Sequence, residues 1–127
     1  FDQIPKREIP TLLEACQVGY ISLRPEPLFR FGVSPNKLFD YMLARLPVLF
    51  AIDAGNNPVA ECDAGLSVSP GDIPGISEAL ASFAEMPITE RVAMGDRGYE
   101  YVIARHSYDA LAARYLELLE APPREGT

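Results

Sequence analysis

Two short and almost uninterrupted apolar runs limit what this chain can fold into. They are VGYISL at residues 18–23 and LPVLFAI at residues 46–52. Short runs rich in β-branched and aromatic residues, bounded by turn-forming residues, are typical of strands. A strand that is apolar throughout, rather than at alternate residues, fits a sheet that is covered on both faces. We therefore expect both runs to be buried strands of a parallel sheet.

Amphipathic stretches separate and follow these runs. The spacing of apolar residues predicts helices at residues 7–17, 34–44, 57–62, 73–85, 88–105 and 107–120. In the second of these, Ser34 is a favourable N-cap and Pro35 suits the first helical position. Ser107 is expected to cap the last helix, and LSVS at residues 66–69 is expected to be a third strand. The alternation predicts an α/β fold, a Rossmann-like domain of three layers (α/β/α) with a parallel sheet.

Composition and charge exclude several classes of protein. The 127 residues fit one domain, and 48% hydrophobic and 23% charged residues are ordinary for a globular protein. With a net charge of −7 and scattered basic residues, nucleic acid is not an expected partner. No apolar run approaches the ~20 residues that span a bilayer, so no transmembrane segment is expected. Cys16 and Cys62 match no metal motif and are expected to be free thiols, and neither a metal nor another cofactor is predicted.

The ends of the chain suggest a piece of a longer protein. It opens on Phe1 without an initiator methionine. Three predicted strands are few for a complete doubly wound domain. We expect residues 1–120 to be an incomplete domain and residues 121–127 to be a disordered tail.

The loops that follow the predicted strands are the natural place for a ligand. In open parallel sheets, ligands bind outside the carboxyl ends of the strands, which selects residues 24–35 and 53–57. The first loop runs into the helix that begins near Ser34. Free N–H groups and the dipole make a helix start an anion site, to which Lys37 adds a charge and Asn36 a polar side chain.

Two further residues make this helix start suitable for a nucleotide. Gly32 lets the backbone approach a ligand closely. Asp40 lies one turn after Asn36, where its carboxylate can accept hydrogen bonds from a ribose diol. Each residue also has an ordinary structural interpretation: Gly32 in a turn, Lys37 solvated, and Asp40 paired with Lys37 or Arg45.

The same residues resemble a known family. FGVSPNKLFDYMLARLPVLFAIDAGNNPVAECDAGLSVSPGD, residues 31–72, is similar to the donor-domain signature of the retaining glycosyltransferases of family 4. QIPKREIPTLLEACQVGYISL and GDRGYEYVIARHSYDALAARYLELLE, residues 3–23 and 95–120, are also similar to parts of that domain. The resemblance implies the carboxyl-terminal half of a GT-B enzyme, in which two Rossmann-like domains face a cleft.

The resemblance also implies a substrate and the residues that bind it. The donor would be a nucleotide diphosphate sugar, UDP- or GDP-linked. Asp40 would bind the ribose, and the acceptor, a glycan or lipid-linked saccharide, would come from a domain outside this chain. Lys37 would be the catalytic charge beside the diphosphate. The residues expected to contact the donor are Gln3 and Ile4 at the base, and Gly32, Val33, Ser34, Asn36 and Lys37 at the diphosphate.

This sequence departs from the family pattern at three points. The signature has two glutamates; Gly32 stands at the first position and Asp40 at the second. The basic residues that neutralise the diphosphate in the family normally precede this segment. Arg45 stands where glycine is usual.

Two alternatives stay open beside a cytoplasmic or peripheral inner-membrane enzyme of surface polysaccharide biosynthesis. One is a non-catalytic signalling or interaction module of flavodoxin-like shape. The chain has Asp53 after its second predicted strand but no acidic pair closing the first, which counts against a receiver domain. The other is a GT-B sugar-nucleotide epimerase, which shares the donor domain.

Overall fold

Three strands form one parallel sheet in the structure, a computed structural model that describes residues 3–120. They are β1 (Gly19–Ser22), β2 (Val48–Ala51) and β3 (Gly65–Ser67). Their order is β1-β2-β3, so β2 is central. Both pairings are parallel, which confirms the predicted α/β class. The predicted tail at residues 121–127 lies outside the described residues.

Helices connect and follow the strands in the described part of the chain. They are α1 (Ile9–Glu14), α2 (Asn36–Leu43), α3 (Pro58–Glu61), α4 (Ile73–Glu85), α5 (Ile88–His106) and α6 (Tyr108–Glu120). Helix α4 has the predicted bounds, and it begins where the Asp72 carboxylate accepts a hydrogen bond from the Gly75 N–H at 3.1 Å. The predicted Ser107 cap is confirmed, since its hydroxyl accepts from the Ala110 N–H at 3.2 Å.

Strand β2 lies at the centre of the hydrophobic core. All four of its residues are buried. Its successive side chains enter two different clusters: Val48 and Phe50 pack with Leu38 and Met42 of α2, whereas Leu49 packs with Phe83 of α4. Because side chains alternate between the faces of a strand, both faces of β2 are covered. The uninterrupted apolar run at residues 46–52 predicted this arrangement.

Strand β1 is less buried than its sequence predicted. Its residues alternate between buried and exposed, and Tyr20 is 46% exposed. Helix α2 covers the face that carries Ile21, which belongs to the same cluster as Leu38. On the opposite face, Tyr20 and Ser22 are exposed. The expectation of a strand buried on both faces was therefore wrong for β1, which lies at the edge of the sheet.

Two predicted helix starts also differ from the structure. Helix α2 begins at Asn36 with Pro35 at the N-cap, so Ser34 lies outside the helix and does not cap it. The extended backbone of Pro35 (φ −71°, ψ 126°) explains the shift, because a residue that precedes the first helical turn has these angles. The first predicted helix, residues 7–17, is a 3-10 turn over Lys6–Glu8 followed by the shorter α1.

Arg45, which the family resemblance left unexplained, lies where α2 ends. Its φ is 57°, in the left-handed region that glycine favours at helix ends. Two contacts of the Arg45 side chain offset the strain of this backbone conformation. Its guanidinium forms an ion pair with Asp96 and lies 3.9 Å above the centre of the Tyr99 ring. All three side chains are partly exposed, which limits the contribution of the ion pair to stability.

Helix α6 contacts α5 and is largely exposed. None of its residues is buried, and the apolar face predicted from Leu111, Tyr115 and Leu118 is exposed. Between residues 3 and 120, no helix has both the length and the hydropathy needed to cross a bilayer.

Close contact between α5 and the end of α2 gives a stability test. A methyl group on Gly95 would overlap the Arg45 carbonyl oxygen, which is backbone and cannot move aside. We expect Gly95→Ala to destabilise the fold by ~2 kcal/mol even after the gain in helix propensity. Gly98→Ala is the control, since its methyl would meet the Ala64 side chain at 3.2 Å and a flexible Met42. In urea unfolding, the Gly98→Ala variant should be clearly more stable than the Gly95→Ala variant. Equal free energies of unfolding would contradict the close contact at Gly95.

Candidate functional site

The two loops selected by the strand-end rule meet at the carboxyl edge of the sheet. They border an open cleft of about 600 Å³ that is lined by Pro25, Glu26 and Arg30 from the first loop and by Asp53 and Gly55 from the second. A second depression, of about 530 Å³, shares Pro25 and Asp53 and continues towards the end of β3. The edge therefore offers carboxylates and a guanidinium on one continuous surface.

Hydrogen bonds from the second loop hold the first loop in place. The Val33 N–H donates to the Asn56 Oδ1 at 2.7 Å, and the Asn56 Nδ2 donates to the Val33 carbonyl at 2.9 Å. The Gly55 N–H donates to the Phe29 carbonyl at 2.8 Å. The two loops therefore form one connected unit. Since the Val33 N–H is already bonded, the residue faces the loop contact rather than presenting a free donor.

Gly32 is required by the turn that precedes this contact. Its φ of 106° and ψ of 162° lie in a region that is essentially restricted to glycine. A methyl group there would lie 3.2 Å from the Asn56 Oδ1. The predicted special backbone at Gly32 is therefore present, and its immediate neighbour is the side chain of Asn56.

The amino end of α2 has the properties expected of an anion site. No side chain of the described residues caps this end. Asn36 and Lys37 are exposed there and line a shallow groove of about 420 Å³ beside the edge of β1, together with Tyr20 and Tyr41. Ser34 is exposed just before them. The N–H groups of Asn36 and Lys37, the helix dipole and the Lys37 ammonium together favour a bound anion.

Asp40 lies one turn further along α2, on a separate groove. That groove, of about 300 Å³, lies between α1 and α2. Its polar groups come from Lys6, Glu14 and Asp40, and apolar side chains such as Leu13 and Leu43 line the rest. Apolar walls with a few polar groups are typical of small-molecule sites. The segment that leads into it carries Gln3 and Ile4, both of which are exposed.

The predicted residues thus form a strip along α2 and its preceding loop rather than a single pocket. Gly32 and Val33 lie against the second loop, Asn36 and Lys37 at the helix start, and Asp40 in the α1–α2 groove. The sequence selects residues 53–57 as one of the two candidate ligand loops, but Asn56 was not singled out within it. The only hint in the sequence is that Asn56 has an amide side chain and is followed by a second asparagine and Pro58.

Two perturbed side chains lie away from this strip. Burial raises the pKa of the Tyr101 phenol, and its hydroxyl donates to the Glu61 carboxylate at 2.6 Å. Burial also raises the pKa of the Cys62 thiol, whose sulfur donates to the Pro58 carbonyl at 3.0 Å. These contacts brace α5 and α3. Both cysteines are free thiols, as predicted, and residues 3–120 contain no cluster of potential metal ligands.

Comparison with protein-family models, with curated proteins and with solved structures gives no match to this chain. We therefore infer the function from the residues of α2, its loop and the two neighbouring grooves.

The turn at Gly32 can be tested against a second glycine of positive φ. We expect Gly32→Ala to lower the free energy of unfolding by ~2–3 kcal/mol, because it combines a glycine-only backbone with the Asn56 contact. Gly71 has a φ of 81°, and a methyl group added there would meet no other group within 4 Å. Gly71→Ala should therefore lower the free energy of unfolding by only ~1 kcal/mol. Chemical denaturation measures both, and a Gly32→Ala loss no larger than that of Gly71→Ala would refute the role of the contact.

Proposed function

We propose that this chain is the donor-binding domain of a glycosyltransferase that uses a UDP- or GDP-linked sugar. It would be the Rossmann-like, three-layer carboxyl-terminal half of a GT-B enzyme. The observation that carries the proposal is the arrangement on α2: an uncapped helix start with Lys37, and one turn later the Asp40 carboxylate on a partly apolar groove.

The two ends of a nucleoside diphosphate match the two ends of this strip. A carboxylate accepts hydrogen bonds from both hydroxyls of a ribose, and the apolar wall beside Asp40 suits a planar base. Gln3 and Ile4 lie on the segment that approaches this groove and are assigned to the base. The diphosphate would then extend towards Asn36 and Lys37, where N–H groups and a positive charge favour it in a chain of net charge −7.

The sugar end of the donor would reach the cleft at the carboxyl edge. Glycine at position 32 removes the carboxylate that the family uses for the sugar, and Glu26 is the carboxylate that the first loop supplies to the cleft instead. Asp53 faces the same space from the second loop. Carboxylates are suitable acceptors for the hydroxyl groups of a hexose.

The chemistry assigned to this half of the enzyme is electrostatic. As the bond between the sugar and the diphosphate breaks, its electron pair stays on the diphosphate oxygen. The acceptor oxygen bonds to the anomeric carbon and its proton is released. Lys37 and the N–H groups of α2 would stabilise the charge that develops on the leaving group. A second domain would supply the acceptor glycan or lipid-linked saccharide, in the cytoplasm or at the inner membrane during polysaccharide assembly.

Asp40 provides the first test of the nucleoside end. Removing the charge with Asp40→Asn should weaken both uridine or guanosine and the matching diphosphate by ~10-fold or more, since a hydrogen bond to a charged group contributes ~1.5–3 kcal/mol. Glu14→Gln removes a charge from the same groove and is the matched control. Isothermal titration gives the affinities. If the Asp40→Asn variant binds the nucleoside and the diphosphate as tightly as the wild type, Asp40 does not bind the ribose.

Lys37 tests the diphosphate end separately. Lys37→Met should weaken UDP or GDP by ~10-fold while the free nucleoside loses less than ~2-fold, because only the diphosphate carries the charge that Lys37 neutralises. Lys6→Met changes the other lysine of the chain, which lines the nucleoside groove, and is the control because any loss there should be equal for nucleoside and diphosphate. Equal losses for nucleoside and diphosphate would contradict the assignment of Lys37 to the phosphates.

A further inference from the structure

The side chain of Asn56 contacts one residue of the preceding loop through both the oxygen and the nitrogen of its amide group. Its Oδ1 accepts from the Val33 N–H at 2.7 Å, and its Nδ2 donates to the Val33 carbonyl at 2.9 Å. Two hydrogen bonds to one residue, from a side chain 23 positions away, mimic the peptide of a neighbouring strand. Of the side chains of this length, only asparagine supplies a donor and an acceptor together, since aspartate carries acceptors alone.

The contact lies between the buried sheet and the start of α2. Asn56 follows β2 by a few residues, and β2 is the most firmly buried strand. Val33 precedes the first residue of α2, Asn36, by three positions. Asn56 and Val33 are both partly buried, so water competes weakly for these bonds. The two hydrogen bonds therefore connect the loop that follows β2 to the backbone that leads into α2.

The neighbouring contacts leave that backbone little freedom. Gly55 fits tightly against the Arg30 carbonyl and donates to the Phe29 carbonyl at 2.8 Å. Gly32, in its glycine-only conformation, brings Val33 alongside Asn56. Pro35 adds a fixed φ one residue before the helix. The Asn56 contact therefore fixes Val33, which lies between two rigid features, the glycine turn and the proline that precedes the helix.

We propose that Asn56 is a positioning residue for the diphosphate, a role that rests on the proposed function. By fixing Val33, it sets the direction in which the first N–H groups of α2 and the Lys37 side chain point. Anion recognition by backbone N–H groups depends on this direction, and small displacements of a binding group are costly. Asn56 does not touch the nucleotide itself; it acts through the backbone of residues 33–37.

The test compares two adjacent asparagines. Asn56→Asp keeps the size of the side chain but replaces the donor to Val33 with a carboxylate oxygen that repels the carbonyl. Asn57→Asp introduces the same charge next door, and its carboxylate can still accept the α3 cap bond from the Ala60 N–H. Isothermal titration of the 127-residue chain with UDP, GDP, uridine and guanosine measures the effect of each variant.

We expect Asn56→Asp to weaken the bound diphosphate by ~10-fold and the matching nucleoside by less than ~2-fold, with Asn57→Asp close to wild type for both. Residual dipolar couplings of the Asn36 and Lys37 amides, measured without ligand, should change in Asn56→Asp and not in Asn57→Asp. That second measurement reports the orientation of the helix start independently of nucleotide binding.

Three results would overturn the positioning role while leaving the proposed function intact. One is an equal loss in the two variants, which would mark an effect of charge. Another is a parallel loss of nucleoside and diphosphate, which would mark a general structural role. The third is unchanged couplings in Asn56→Asp. If the unsubstituted chain binds neither diphosphate, the proposed function itself fails, and the role of Asn56 in it fails too.

Discussion

Strand β2 is buried at every residue, pairs with both other strands of the sheet and packs against α2 and α4, so the positions of these elements depend on it. Its successive side chains enter two hydrophobic clusters, one with α2 and one with α4. Burial of this kind is the dominant favourable term in folding. The loop that follows β2 begins at this fixed strand end, and its residues Asp53, Gly55 and Asn56 lie at the carboxyl edge of the sheet.

The proposed site is built outward from that strand. Asn56 holds Val33, the glycine turn at Gly32 makes the contact sterically feasible, and Pro35 opens α2 immediately afterwards. Lys37 and Asp40 then lie on a helix that begins after the extended backbone of Pro35 and has no side-chain cap. A strongly acidic chain can offer a phosphate site by this local arrangement, because N–H groups and one ammonium need no basic surface around them.

Local patterns in the sequence predicted the fold better than they predicted the site. The apolar run around Leu49 predicted β2, and the spacing of apolar residues predicted α4, because both signals lie within the element itself. Tyr20 was assigned to a buried strand because an apolar run does not show whether a helix covers its second face. Asn56 was missed for a related reason: its partner is Val33, and hydrogen bonds between distant loops leave no periodic signal.

Mapping of the binding surface is the most direct test of whether α2 and its flanking grooves bind a nucleoside diphosphate, as we propose. Amide chemical shifts of the labelled chain are followed while UDP or GDP is added to saturation. We expect the largest changes at residues 32–40 and on the α1 side of the groove, at residues 6–14. Changes confined to other elements, or none at millimolar nucleotide, would contradict it.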